Sequence, residues 1–546
     1  MEYNMAVITP DTDLKFLKVP LEISDTNQIN FSNATAQYNY FNGLANSKSF
    51  DNFTYQRKDG TIRVEETFDN MLQYNYVMYR NTAYSSKWFY AYIEDLQYVN
   101  DSVTAVKIRT DVFQTWQFAI TYKSTFVERE HVNDDTIGAN TVPEGLECGD
   151  YLIEVNREIP LTNPTTGGFM VCFMCTSPPY NNAEVTYVTH SIGNVYSGLL
   201  TFACTMGNAT HVIDLYKKGE ASTDAIVNIY MIPEELVDTT HYSTWTVDST
   251  SATICQIKTA SQSLYSSQFY ENVTLNGYTP KNKKLYCYPY KYFHISNNAG
   301  SDVEFRWEDC PIVNSMPAAY VNVDGIACSG AQAKLTVTKY KGYDSTATGA
   351  KLLMAYGVSS CKLPTCAWQN DYYTNWLTQN SVNIATGIVT GAGTGAMYGI
   401  YSGNAAVAVG GALLGAATQA LSSAGEVVKA QKTPDQAKGD TGLGDLNFAN
   451  QESAFNMYCM TIRSEFARII DDYFSMFGYK VNRVKVPNIT GRTNWNFVKT
   501  VDCYIDGPTV PQLDLAEIKN LFNKGITIWH NTSTFMDYSQ SNGIVS

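Results

Sequence analysis

The residues that could carry chemistry in this 546-residue sequence are its acids, six histidines and twelve cysteines. The histidines (His131, His190, His211, His241, His294 and His530) are scattered, with no two within ten residues of each other. The paired-histidine spacing of a zinc hydrolase is therefore missing, and neither HExxH nor GxSxG occurs. Cys172-Phe-Met-Cys175 has the spacing of half a zinc or redox site, but it lies in the strand-like apolar run Phe169–Cys175. A separation of three residues on a strand puts the two thiols on opposite faces, so the expectation is buried structural cysteines. Cys361 and Cys366 form the other close pair. Asp471 and Asp472 could suggest an acid/base pair, but neighbours on a helix point about 100° apart. They cannot face one substrate as two glycosidase carboxylates do, and the expectation is two solvated carboxylates on a helix surface. No phosphate-cradling glycine loop and no dinucleotide fingerprint is present. The residues point to no catalytic, cofactor or metal site, and the expectation is a protein that is not an enzyme.

What stands out is an uncharged glycine series. No charged residue occurs between Asp371 and Glu426, and no proline between Pro364 and Pro434. Nine of the 36 glycines fall within Ile384–Ala424. Gly387, Gly391, Gly395, Gly399 and Gly403 recur every fourth residue. On a helix they would form one ridge of the kind that lets helix backbones approach closely in lipid. Ile384, Ile388, Val389, Met397 and Ile400 supply apolar bulk to the arm before Ser402-Gly403-Asn404. Val407, Val409, Leu413, Leu414 and Leu421 supply it to the arm after. The first arm would be roughly 27 Å long as a helix, against a hydrocarbon core of about 30 Å. Glycine costs about 1 kcal/mol per residue in a helix interior in water, so a conditional membrane segment is one reading. A flexible glycine-rich loop with no membrane role is the other.

The remaining chain must carry this insert. Charged residues make up only 16%, tyrosines (39) outnumber lysine plus arginine (38), and the net charge is −14. Such an acidic chain is unsuited to tight static binding of nucleic acid, which needs neutralised phosphates. Met1-Glu2-Tyr3-Asn4 has no basic or apolar leader character, so synthesis in a reducing cytosol is expected, with reduced cysteines. Residues 1–125 read as a first β domain. Phe53-Thr-Tyr55 and Ile62-Arg-Val64 would form a hairpin around Lys58-Asp59-Gly60. Tyr84–Val99 has two apolar faces and turns at Asn100-Asp101-Ser102 into Val106–Arg109. Asp111 is placed to cap a short helical turn, Asp111–Phe118. Residues 126–263 and 264–380 read as second and third β domains, with turns at Val142–Gly145, Asn276-Gly277 and Asp324-Gly325. Residues 381–445 comprise the insert and a polar tether. Residues 446–546 read as an α+β region: Phe455, Tyr458, Ile462, Phe466, Ile469, Tyr473 and Phe477 recur at helical spacing up to Gly478. A strand over Tyr479–Val486, a helix over Pro511–Lys524 and a strand over Ile526–Trp529 follow. Lys480, Arg483, Lys485, Arg492 and Lys499 make a basic run that reads as a solvated or subunit-contact face. The fold class is thus mainly β with a few helices, in a multidomain β-barrel or sandwich-like subunit with a long glycine-rich hydrophobic loop insert.

Specific segments carry a resemblance. Arg468–Thr500 (RIIDDYFSMFGYKVNRVKVPNITGRTNWNFVKT) and Gly525-Ile-Thr-Ile-Trp529-His530 resemble the tail knob proteins of phi-29-like short-tailed bacteriophages. Asn75–Tyr79 through Ile108–Trp116, Phe126–His131 and Val142–Leu146 are similar to that family's first domain. The resemblance implies a homohexameric tube at the distal tip of a phage tail, assembled in the host cytoplasm. Its partners would be other tail proteins, the host cell membrane and phage DNA, which passes through the lumen without tight binding. It further implies one hydrophobic loop per subunit, here Ile384–Ala424, that leaves the bore on contact with the host membrane and forms a channel for genome ejection. The competing expectation is a receptor-binding or wall-degrading tail-tip protein whose loop only plugs the tube.

Overall fold

The computed structural model describes residues 11–24, 26–53, 58–81, 87–162, 168–192, 195–270, 274–297, 300, 302–314, 316–327, 332–340, 356–362, 368–370, 436–438 and 455–545. The chain is mainly β and divides into two compact units, each assembled from separate stretches. One takes residues 1–152, 274–290 and 462–546, the other residues 153–273 and 291–461.

The first unit holds a six-stranded sheet in the order Ser47–Phe53, Thr12–Leu17, Tyr76–Asn81, Phe89–Asn100, Val103–Thr110, Thr61–Val64. Its central strands are apolar on both faces because both are covered. Leu14, Phe16, Val77, Tyr79 and Ala91 pack on one side. Leu17, Tyr76, Met78, Tyr90 and Tyr92 pack on the other, against Phe41 of the helix Ala34–Asn42. Alternation with a period of two thus feeds two cores from one strand, as expected for Tyr84–Val99. That double burial ends at Ile93, and residues 97–100 are exposed. The turn at Asn100–Ser102 forms, with Asn100 opposite Val103. Asp111 caps the short helix Val112–Trp116 by accepting from the Gln114 N–H at 2.9 Å.

A five-stranded sheet follows in the order Asn27–Ile29, Ile526–Trp529, Trp495–Val501, Thr125–Glu130, Tyr479–Lys485. The helix Gln512–Lys524 covers it with Leu515, Ile518, Leu521 and Phe522, which meet Val498, Ile526 and Ile528. This helix, its stop at Gly525 (φ 100°) and the fully buried strand after it match expectation.

Three local expectations fail. Of the hairpin expected across Lys58-Asp59-Gly60, Thr54 and Tyr55 lie outside the described residues, and the described ends do not pair with each other: Ser47–Phe53 pairs with Thr12–Leu17, and Thr61–Val64 pairs with Val103–Thr110. The turn residues nevertheless behave as such, with Asp59 at φ 50° and its carboxylate accepting from the Thr110 N–H. Asp324-Gly325 is no turn but the end of the strand Met316–Gly325, paired with Ser263 and Gln262. Asn276-Gly277, by contrast, does turn, at φ 49° and 79°. The single helix expected over Phe455–Phe477 is a strand, Phe455–Ile462, followed by a helix, Ser464–Phe477. Phe455, Met457, Cys459 and Thr461 also satisfy a period of two, and pairing with Lys291–Ser296 selects it. Within the helix the buried stripe is Ala467, Ile470, Asp471 and Phe474. The expected stripe is displaced from it, with Ile469 69% exposed.

The second unit contains a sheet ordered Ile226–Pro233, Phe169–Cys175, Val195–Cys204, Thr250–Ile257, Val237–Val247. Cys172 and Cys175 are both buried; only Cys175 joins the core of Phe173, Phe202 and Trp245, as opposite faces require. Another sheet is ordered Tyr151–Ile159, Phe455–Ile462, Lys291–Ser296, Asp302–Arg306. A third begins with Gln262–Tyr270, Met316–Gly325, Gln332–Thr338 and Tyr356–Lys362. Among the described residues no helix is long and apolar enough to cross a membrane.

Gly478 gives a test of the C-terminal fold. It ends the helix Ser464–Phe477 at φ 64° and ψ −156°, a region that is essentially restricted to glycine. A Cβ there would stand 2.2 Å from the Glu130 carbonyl oxygen. Gly478→Ala is expected to cost about 3 kcal/mol or more, from strain plus backbone collision. Gly145→Ala, at φ 72° with nothing within 4 Å, should cost about 1 kcal/mol. Denaturant unfolding of both variants checks the difference, and equal losses would refute it.

Candidate functional site

All fifteen residues singled out in the insert lie outside the described residues: Ile384, Gly387, Ile388, Val389, Gly391, Gly395, Met397, Gly399, Ile400, Gly403, Val407, Val409, Leu413, Leu414 and Leu421. The described part of the first unit instead shows where its acids go. Many of them are interior ties.

Asp471 corrects the expectation of a solvated carboxylate. It is fully buried. Its oxygens accept from the Tyr278 hydroxyl at 2.7 Å, the Lys281 N–H at 2.7 Å, the Asn282 N–H at 3.0 Å and Asn282 Nδ2 at 2.8 Å. Asp472 does point elsewhere, as the helix angle demands; it is 65% exposed and meets Lys281 Nζ at 3.3 Å. The pair is therefore no catalytic dyad: one carboxylate fastens the helix to the 278–282 turn, and the other stands in solvent.

Glu144 is the second tie. Its side chain is inaccessible and bonds both Arg129 and Lys284, and it also accepts from the Lys480 N–H at 2.9 Å. Arg129 in addition donates to the Gly478 carbonyl at 2.8 Å and lies over the Tyr473 ring. Burial lowers the Lys284 ammonium pKa, and Glu144 opposes that shift. Glu130, also inaccessible, pairs with Lys485 and accepts from the Asn488 N–H at 2.8 Å. Asp514 pairs with Lys58 and accepts from Trp116 Nε1 at 2.8 Å. A buried carboxylate is tolerated only with such partners. Nothing in local sequence marked Glu130, Glu144 or Asp514, because their partners come from distant stretches.

These acids also resolve the basic run. Lys485 meets Glu130, and Lys499 meets Glu128 at 2.9 Å. Arg492 is buried and donates to the carbonyls of Val132 and Asn542. That arginine lines a cleft of about 500 Å³ with His131, Asp135, Lys283 and the Tyr538–Ile544 segment. His131 Nδ1 accepts from the Phe497 N–H at 2.8 Å, and Nε2–H donates to the Ser475 carbonyl at 3.1 Å. Both ring nitrogens are engaged, so this histidine is a structural connector. Among the described residues no group of three His, Cys, Asp or Glu could hold a metal.

Two outcomes follow from these ties. Asp471→Asn places amide hydrogens against donors and should cost about 3 kcal/mol. Asp472→Asn should change stability by less than about 0.5 kcal/mol. Comparable losses in urea unfolding would contradict the assignment. Burial first, and then Arg492, depresses the His131 pKa to about 3. The unfolded chain therefore binds a proton that the folded one does not, and stability falls as pH drops from about 6.5 toward about 3. Burial raises the Asp135 carboxyl pKa, which acts in the opposite sense. The readout is accordingly the difference from His131→Gln, whose stability should fall with a slope shallower by about one proton.

Comparison with known proteins gives the family. Residues 254–543 match the family described as Bacillus phage phi29 tail knob protein gp9, C-terminal domain. Residues 11–121 match the N-terminus of the caudoviral major tail proteins. The chain is 27% identical to tail knob protein gp9 of Bacillus phage B103, covering 98% of each chain. It is 25% identical to gp9 of Bacillus phage phi29, covering 94% of this chain and 95% of that one. The fold is that of the bacteriophage C1 tail knob protein gp12, with a TM-score of 0.63 at 14% identity over 98% of this chain and 100% of that one. The protein belongs to the phi29 gp9 family and is a structural component of a phage tail knob.

Proposed function

We propose that copies of this chain assemble into a tube at the tail tip through which the genome leaves, and that Ile384–Ala424 is its membrane-active part. The supporting observation is a family membership covering 98% of both chains, joined to a sequence free of charge from residue 372 to residue 425. The assembly is homo-oligomeric, and a hexamer is the expected size. Its partners are neighbouring tail proteins, the host membrane and DNA, which the net charge of −14 keeps from adhering to the bore. The role is mechanical, not enzymatic, and many buried acids in the first unit already serve as structural ties.

The glycine ridge provides the test. Gly395→Leu raises helix propensity and apolarity but separates helices that must meet closely in lipid. Wild-type protein should release dye from liposomes. Gly395→Leu should bind the same liposomes yet release dye at least about tenfold more slowly, a loss of about 1.4 kcal/mol in channel packing. A variant lacking residues 384–424 should assemble without releasing dye. No release by wild type would leave a loop that only plugs the tube, and full release by the deletion variant would remove the segment's membrane role.

A further inference from the structure

The first unit leaves two sheet edges without a partner among its described residues, and they carry opposite charge. The strand Phe89–Asn100 pairs with Tyr76–Tyr79 only through Tyr92. From Glu94 onward its one described strand partner is Val103–Thr110, and the helix Phe68–Met71 packs against the same strand. The Glu94–Asn100 stretch bears Asp95 and Glu94, the latter already paired with Lys107 at 2.7 Å, with Asp101 at the turn; Tyr98 and Val99 are 61% and 42% exposed. Asp95 makes no ion pair among the described residues and accepts only from Gln97 Nε2 at 2.8 Å. The other edge is Tyr479–Lys485, the last strand of the five-stranded sheet, which is open beyond the Lys480 N–H held by Glu144. It bears Lys480, Arg483 and Lys485, and its Val484 is 69% exposed. Lys485 is held by Glu130. No ion pair to Lys480 or Arg483 is found among the described residues.

An open strand edge carries a row of unmet backbone donors and acceptors, which is a template for pairing with another chain. Two different edges on one subunit make a head-to-tail contact, which closes into a ring when the rotation allows. We infer that the acidic Glu94–Asn100 edge of one copy pairs with the basic Tyr479–Lys485 edge of the next, with Tyr98 and Val99 covering Val484. This rests on the homo-oligomeric reading and specifies its contact. Basic residues on an edge can also serve simply to repel unwanted strands. In that case their charge, whatever its sign, is what matters.

Sign reversal separates the two roles. Lys480→Glu with Arg483→Glu reverses the basic edge, and Asp95→Arg reverses the acidic one; Asp101→Arg is a second version of the latter. Asp95, Asp101 and Arg483 are exposed and Lys480 is half-buried, and an unchanged thermal midpoint establishes that each variant folds. Sedimentation over a concentration series should show each reversed edge raising the assembly midpoint about tenfold or more. Combining both reversals in one chain should restore it. If each reversal assembles like wild type while wild type forms a ring, the edges are not the contact and the inference fails alone. If the combination fails to restore assembly, the edges meet something other than each other, and the inference is overturned. A wild type that stays monomeric throughout removes the homo-oligomeric reading itself, and this contact with it.

Discussion

The first unit depends on one strand, Thr125–Glu130, paired on both sides with strands that begin at Tyr479 and Trp495, far later in the chain. Its outer residues face solvent or charge, while Arg129 and Glu130 enter the interior. Each brings a charge that the interior cannot tolerate alone. Arg129 requires Glu144 and the Gly478 carbonyl, and Glu130 requires Lys485 and the Asn488 N–H. These requirements fix where the 134–150 loop, the end of the Ser464–Phe477 helix and the strand after it must lie. Closing such distant segments costs chain entropy that rises only slowly with length. A set of buried charged bonds can therefore specify the closure, because a wrong closure would strand an ion.

The same logic explains the tyrosines. Tyr76 bonds Asp111, Tyr278 bonds Asp471 and Tyr479 bonds Asp135. Tyr76 and Tyr479 fill the interior with a large apolar ring and Tyr278 is half-buried, and in each case the hydroxyl satisfies a carboxylate. Desolvation and the neighbouring carboxylate both push the phenol pKa values upward, so these groups remain neutral donors. A chain with only 16% charged residues can thus bury several acids without an equal number of buried bases.

What was legible in the sequence was what short range decides. Asp111 as a cap, Gly478 and Gly525 as stops, the Asn276-Gly277 turn and the Leu515–Phe522 stripe each depend on neighbours within a few residues, and each is present. Lys58-Asp59-Gly60 has turn chemistry and does turn, yet its flanking strands join opposite ends of the sheet. Local chemistry set the bend, and long-range pairing chose the partners. Phe455–Phe477 failed for a related reason. Its apolar positions fit both periods, and only the Lys291–Ser296 neighbour decides for strand over the first half. Asp471 was unreadable because its burial depends on a turn at residues 278–282, about 190 residues away. The resemblance identified the family, since it rests on letters and not on contacts. The residues of the candidate membrane segment were chosen from glycine spacing and apolar bulk, which a packed subunit does not determine.

A division of labour follows from where charge is placed. Inside the first unit, acids such as Glu130 and Glu144 meet bases in buried clusters, and the pocket-lining His131 and the Arg492 Nη atoms have backbone partners. The charges left without ion partners, Asp95, Lys480 and Arg483, sit instead on open sheet edges at the surface. A rigid interior with unspent charge at its edges suits a wall element, whose work is to hold shape and meet its neighbours. The long stretch without charge, residues 372–425, has the opposite character, since it contains no ionised group to resist transfer into an apolar medium. One chain thus concentrates its ionic bonds in the first unit and has no charge to form them in the stretch proposed to meet the membrane.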